Sequence, residues 1–168
     1  LPIITVYYQE SDYNGVEYVA RRSLKIAIAF GIFFTLLFTL FPQTLLYLFS
    51  VSDPSHLPIV MNAVRIFSLS ILAYSINFLY IFYLQSIQDN KLANVVTLLN
   101  GLIFPVAFVF IFSIIWNENG IWFGFVVSEI ATLVFIYLYS RYVNKKSNGE
   151  CTGFFMKKRH PEDERMFE

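Results

Sequence analysis

Long runs free of charged side chains, separated by short polar breaks, make up most of the chain. The hydrocarbon core of a bilayer is about 30 Å thick and takes roughly 20 apolar residues in a helix, and four stretches reach that length. Helix A lies within Ile26 to Ser52, with Pro42 marking the end of the span and a short amphipathic stretch, Leu45 to Phe49, placed at the interface. Helix B follows Pro58 and is charge-free from Ile66 to Gln88. Helix C lies within Leu92 to Asn117 and carries Pro105 near its middle, where the missing backbone donor predicts a kink. Helix D starts after Asn119-Gly120 and runs to about Tyr139, interrupted only by Glu129. Connections this short make consecutive helices antiparallel neighbours. The pattern predicts an all-α, polytopic membrane protein. In it, 1–23 is the end of a preceding helix and a cytoplasmic connection, 24–142 a four-helix transmembrane region and 143–168 a cytoplasmic tail.

Composition agrees: 57% of residues are apolar and 19% aromatic, and the 14% that are charged fall well below the roughly 25% of a soluble domain. Net charge is zero, so its distribution carries the information. Of the twelve Lys and Arg residues all but Arg65 flank the spans. They fall before helix A (Arg21, Arg22, Lys25), between B and C (Lys91) and in the tail from Arg141 onward, whereas the A–B and C–D loops hold none. Cytoplasmic loops carry the excess of cations, so both ends of the segment are expected in the cytoplasm, with the plasma membrane as the expected site. The lipid bilayer is then the expected partner, and no nucleic acid.

Little else in the chain points to catalysis. Cys151 is the single cysteine, which excludes an intrachain disulfide or a cysteine-based metal cluster. His56 and His160 are isolated on opposite sides of the membrane, no nucleophile has a base nearby, and no phosphate-loop or metal motif occurs. The chain is therefore expected not to be an enzyme and to carry no catalytic residue, resident metal or cofactor. It opens on Leu1 and ends in charged sequence at Glu168, as expected of a piece of a longer polypeptide.

Ionisable residues inside a span are costly and mark function or pairing. At 1.5 Å per residue Arg65 lies about 10 Å from Pro58 and Glu129 about 13 Å from Gly120, similar depths at which the two form an ion pair. Two other readings stand beside it: Glu129 as a cation or proton site in an internal cavity, and Arg65 snorkelling to the outer interface. Helix B shows a polar stripe of Ser70, Tyr74, Asn77, Gln85 and Gln88, which lines an aqueous path or bonds neighbouring helices. On helix C, Asn94, Thr97, Gly101 and Pro105 share a face; on helix D, Gly120, Gly124, Ser128 and Thr132 recur at the spacing that lets helices approach closely. Trp116, Trp122, Tyr137, Tyr139 and Tyr142 sit near helix ends as an interfacial belt does. The candidate ion or substrate pathway is thus Glu129, Arg65, Tyr74, Asn77, Asn94 and Gln85, with Pro105 as the kink.

A series of short elements runs through the chain in fixed order: Asp12-Tyr13, Arg21 to Ala27 (Arg-Arg-Ser-Leu-Lys-Ile-Ala), Leu40-Phe41-Pro42, Leu48-Phe49-Ser50 and Arg65 to Leu69. Leu84 to Ala93 (Leu-Gln-Ser-Ile-Gln-Asp-Asn-Lys-Leu-Ala), Phe104-Pro105, Asn119 to Trp122 and Ser128-Glu129 complete it. In this order they resemble the C-terminal half of the multidrug and toxic compound extrusion family, over roughly Leu1 to Tyr142. The pattern departs at Tyr8 to Ser11, where an Asn-x-Gly-Ala-like turn is usual. The resemblance implies the last four helices of a twelve-helix, two-lobe transporter. That protein would be a cation-coupled antiporter exporting drugs or organic cations by alternating access. It also implies Na⁺ or H⁺ as the coupling ion, a small amphiphilic cation as substrate, and an N-terminal lobe as a necessary partner. The alternatives are a lipid-linked saccharide flippase of the same superfamily, which Arg65 as the single cation within the spans does not favour, and a membrane anchor for a cytoplasmic domain.

Overall fold

The computed structural model describes residues 2–48 and 57–146, and among these all regular structure is helical. Helix α1 (Pro2–Gln9) ends in a tight turn, in which Ser11 takes φ 58° and the Asp12 N–H bonds the Tyr7 carbonyl at 2.9 Å. Helix α2 (Tyr13–Leu40) follows at once. The polar stretch expected to connect the first two helices is itself helical, and the reason is local. The Asp12 carboxylate caps the new helix by accepting from the Gly15 N–H at 3.0 Å, and Glu17 and Arg21 pair one turn apart at 2.7 Å. Helix A therefore starts well before Ile26 and ends before Ser52, at Leu40, with Phe41 as its cap because a following proline disfavours helical backbone there. The expected interfacial stretch is helix α3 (Gln43–Leu48); Phe49 lies outside the described residues, as do His56, Cys151, His160 and all of 147–168.

Helix B is two helices, α4 (Leu57–Ser68) and α5 (Ser70–Ser86), bent by 43°. The Ser68 hydroxyl bonds the Arg65 carbonyl at 2.8 Å and the Ser70 hydroxyl the Phe67 carbonyl at 2.6 Å, while the Leu69 N–H reaches back only to Ile66. Serine hydroxyls that compete for helix carbonyls bend the ladder, so the break needs no proline or glycine.

Helix α6 (Asn90–Asn117) is capped by Asp89, whose carboxylate accepts from the Leu92 N–H at 3.2 Å. The distortion expected at Pro105 lies one turn ahead of it, as a π turn over Leu99–Ile103. Pro105 lacks an N–H and its ring crowds the carbonyl a turn earlier, and widening that turn relieves both. Helix α7 (Asn119–Tyr142) then folds straight back along α6 through a break at Trp116 and Asn117, where Asn117 has φ 50°. Asparagine tolerates this conformation better than most residues. Three helices, α2, α6 and α7, are long and apolar enough to cross a bilayer, and α4 with α5 makes a fourth if the bent pair is one span.

The helices approach closely where small residues allow it. A Cβ added at Gly31 of α2 would lie 2.6 Å from the Ser75 Oγ of α5, and one at Gly124 of α7 would lie 2.6 Å from the Val109 Cα of α6. The largest apolar core, with Ile4, Val16, Ala20, Leu84, Ala93 and Ile136, gathers at the end of the bundle where α1 packs on α2 and α5. Higher up, the Thr39 and Ser68 hydroxyls bond at 2.7 Å between α2 and α4, and Asn62 donates to the Asn119 side chain at 2.8 Å between α4 and α7.

The α6–α7 seam gives a signed test. Alanine is favoured over glycine in a helix by about 1 kcal/mol, so propensity alone makes Gly124→Ala stabilising. The contact with Val109 reverses the sign: a loss of about 1–3 kcal/mol from overpacking is expected, read as a lower melting temperature of the purified protein. Gly101→Ala, with nothing within 4 Å of the new methyl, is neutral or better.

Candidate functional site

Glu129 sits near the middle of α7 and is 7% exposed. The residues around it come from three helices. Asn77 of α5, fully buried, donates from Nδ2 to the Glu129 Oε2 at 2.8 Å and to the Glu129 main-chain carbonyl at 3.0 Å. The same nitrogen lies 3.3 Å from the Oδ1 of Asn100, in the π turn of α6. The amide of Asn77 is thereby fixed: turning it over would set its oxygen against two oxygens of Glu129. Its own Oδ1 is buried and has no hydrogen-bond donor.

Local sequence explains why the three side chains meet. On α6 the buried positions Ala93 and Val96 are followed one turn later by Asn100, which the helical period carries to the same inward face. On α7 the small residues Gly124, Ser128 and Thr132 are buried beside Glu129, and the two hydroxyls are satisfied within the helix, Ser128 on the Phe125 carbonyl and Thr132 on the Ser128 carbonyl. They leave room for the approach and contribute no donor to the carboxylate.

Arg65 does not pair with Glu129. It is exposed on α4, and Glu129 instead meets Asn77, twelve residues further along the α4–α5 span, on the order of 18 Å along the axis. Counting both depths from the helix starts assumed that α4 and α7 begin level and run straight; the bend at Leu69 and the register of α7 on α5 remove both premises. Among the described residues Glu129 has no cationic partner, and the one ion pair is Glu17 with Arg21.

Of the other residues expected in a pathway, only Asn77 joins the cluster. Tyr74, Gln85 and Asn94 are exposed. Tyr74 stacks on Phe78 at 5.6 Å between ring centroids, and Phe78 meets Phe82 edge-on at 4.6 Å, so the open face of α5 is an aromatic ladder ending near Gln85. The helix-C face read from Asn94, Thr97 and Gly101 points outward as well, and Asn100 is the residue that reading missed. Its signal was available in the spacing from Ala93 and Val96. A separate cavity of about 370 Å³ between α2, α4 and α7, lined by Phe38, Ile59, Ala63, Phe67, Ile71 and Trp122 among others, carries no ionisable group. Among the described residues no group of three His, Cys, Asp or Glu is placed to hold a metal ion.

Chemically, the cluster offers a single carboxylate held by neutral amides inside an apolar bundle. An isolated charge in such a place is costly unless it is paired or neutralised, so the arrangement suits a group that takes up and releases a positive charge.

Three comparisons bear on the chain as a whole. The MatE family model matches residues 2–116. A solved structure described as the inward-facing conformation of a multidrug resistance MATE family transporter of the MOP superfamily superposes with a TM-score of 0.76 at 19% identity. The match covers 86% of this chain and 34% of that one. No curated protein matches.

If the Asn77 contact is what holds Glu129, Asn77→Leu lowers stability by about 1.5–3 kcal/mol in detergent unfolding, the worth of a hydrogen bond to a charged group. The double variant Asn77→Leu with Glu129→Leu recovers most of that loss; strictly additive single effects would show that the two residues act independently.

Proposed function

The chain belongs to the MatE family, and from that premise we propose that it is the C-terminal part of a cation-coupled antiporter that exports drugs or organic cations. It spans about a third of the length of the solved transporter it matches. Transport accordingly needs a further lobe, facing this one across a central cavity, and proceeds by alternating access. The distribution of Lys and Arg supports a plasma-membrane location with both ends of the segment in the cytoplasm.

The observation that carries the reading is Glu129, a carboxylate within a membrane span whose partners are neutral amides. A structural carboxylate would be expected beside Arg or Lys, which would hold it permanently charged. One that has only Asn77 beside it changes its charge state by taking up an ion and giving it back, which is what a coupling residue does. The substrate is proposed to be a small amphiphilic cation, and the open aromatic face of Tyr74, Phe78 and Phe82 supports this, because aromatic rings attract cations through their faces. Gln85, one turn beyond Phe82, adds a polar group at the end of that face; Asn94 is exposed on α6, and Arg65, exposed on α4, would repel a cation.

The test is efflux of ethidium from cells expressing the full-length protein that contains this chain, wild type against Glu129→Gln, with the Na⁺ and H⁺ gradients collapsed in turn. Efflux that depends on one of the gradients and falls at least tenfold in the variant is expected. Efflux absent under every gradient would overturn the antiporter reading and favour the flippase or anchor alternatives.

A further inference from the structure

We infer that the cavity between α2, α4 and α7 is a binding site for one acyl chain of a membrane phospholipid. The chain comes from the leaflet at the α3 end of the bundle, which is the outer one in the orientation proposed above. The inference stands apart from the Glu129 cluster and from what the protein transports.

The space is built into the helices. Protein interiors hold few spaces larger than a water molecule, and an apolar cavity of about 150 Å³ already takes a benzene ring. This one measures about 370 Å³. Its walls are fixed on both sides. Phe67, a lining residue of α4, is held nearly perpendicular to Trp122 and Phe125 of α7, at 6.3 and 5.7 Å between ring centroids. Toward α2, the Ser68 hydroxyl donates to the Arg65 carbonyl and, with that hydrogen committed, accepts from Thr39, the neighbour of the lining residue Phe38. Ala63, buried between these two fixed sides, is too small to fill the space.

Chemistry and shape select the occupant. Every lining side chain is apolar except Ser68, whose hydroxyl is committed, so a charged or polar guest would be buried without a partner. The wall that helix B contributes runs from Ile59 to Ile71, on the order of 18 Å along the axis. That is about half of the 30 Å hydrocarbon core, the depth of a single leaflet. Leu45 of the short helix α3 and Trp122, whose ring type favours the headgroup level, line the same space. Access is lateral. Ile59 and Phe67 are 50% and 42% exposed, while Ala63 and Ser68 on the same wall are buried, so the cavity opens sideways, where a chain in the bilayer reaches it without leaving hydrocarbon.

The test uses the full-length protein in detergent, titrated with phosphatidylcholine that carries a photoactivatable diazirine halfway along one acyl chain, with the labelled peptides mapped by mass spectrometry. Saturable labelling of residues 57–71 and of the Trp122 peptide is expected, displaced by unlabelled phosphatidylcholine. Labelling at the exposed Val106, Phe110 and Ile114 of α6 should not saturate, and serves as the measure of bulk lipid. Ala63→Phe puts a ring where at least two methylenes of the chain would lie, and lowers labelling of the site about tenfold without changing that of α6. Ala63→Leu is the milder variant: it fills part of the space itself, so it should raise the melting temperature of the delipidated protein and remove most of the further rise that phosphatidylcholine gives the wild type. Labelling of α4 that matches α6 and ignores both variants overturns the site, since it is then bulk lipid only. Unlabelled α4 peptides, with Ile59 and Phe67 inaccessible in the full-length protein, also overturn it, because another part of the polypeptide then covers the cavity. So does labelling of Phe67 and Trp122 by ethidium azide that phosphatidylcholine does not displace, which would give the cavity to a cation.

Discussion

The contact between the Asn77 amide and Glu129 ties together helices that would otherwise have little reason to choose their register. Apolar side chains of α5, α6 and α7 slide against one another with small changes in energy, since lipid is as apolar as they are and gives no hydrophobic drive for association. A carboxylate has no such freedom. It must find its donor, and a hydrogen bond to a charged group is worth about 1.5–3 kcal/mol, more than one methylene of misfit. The small residues of α7 serve that contact. Gly124 brings the α7 backbone against Val109, and Ser128 and Thr132, satisfied within their own helix, ask nothing of their neighbours.

Both irregular places in the spans, the bend at Leu69 and the π turn at Leu99–Ile103, belong to helices that reach this cluster. Their causes differ. At Leu69 two serine hydroxyls draw carbonyls away from the ladder, and those carbonyls remain bonded. At the π turn the cause is Pro105, which lacks an N–H, and the turn carries Asn100, whose side chain lies at the cluster.

The length and apolarity of the spans were legible because a bilayer imposes a simple rule on sequence, and the ordered short elements agree with the family that the chain belongs to. Helix ends were less so. Asp12 and Asp89 start helices in polar sequence, where hydropathy is silent and capping decides. Asn77 and Glu129 stood out separately, one in a polar stripe and one as a lone charge, but nothing along the chain said that they meet. Arg65 seemed the partner because charge suggests charge, and that inference ignored register, which a one-dimensional reading holds only under straight, level helices. Tyr74, Gln85 and Asn94 share stripes with inward residues and still point out, since a stripe as wide as the one on helix B spans two faces.

That division of faces makes α5 the helix common to the buried cluster and the exposed aromatic face. One rigid helix carries Asn77 against the carboxylate and, three residues earlier, Tyr74 at the head of the exposed aromatic ladder. A change of charge at Glu129 alters how tightly Asn77 is held, and the packed interior does not absorb such a change by small continuous adjustment. The serine bend ahead of Tyr74 is where helix B is broken, so α5 and α4 are distinct segments of one span. Whatever moves Asn77 against the carboxylate therefore moves Tyr74 with it, because one turn of the same helix holds both.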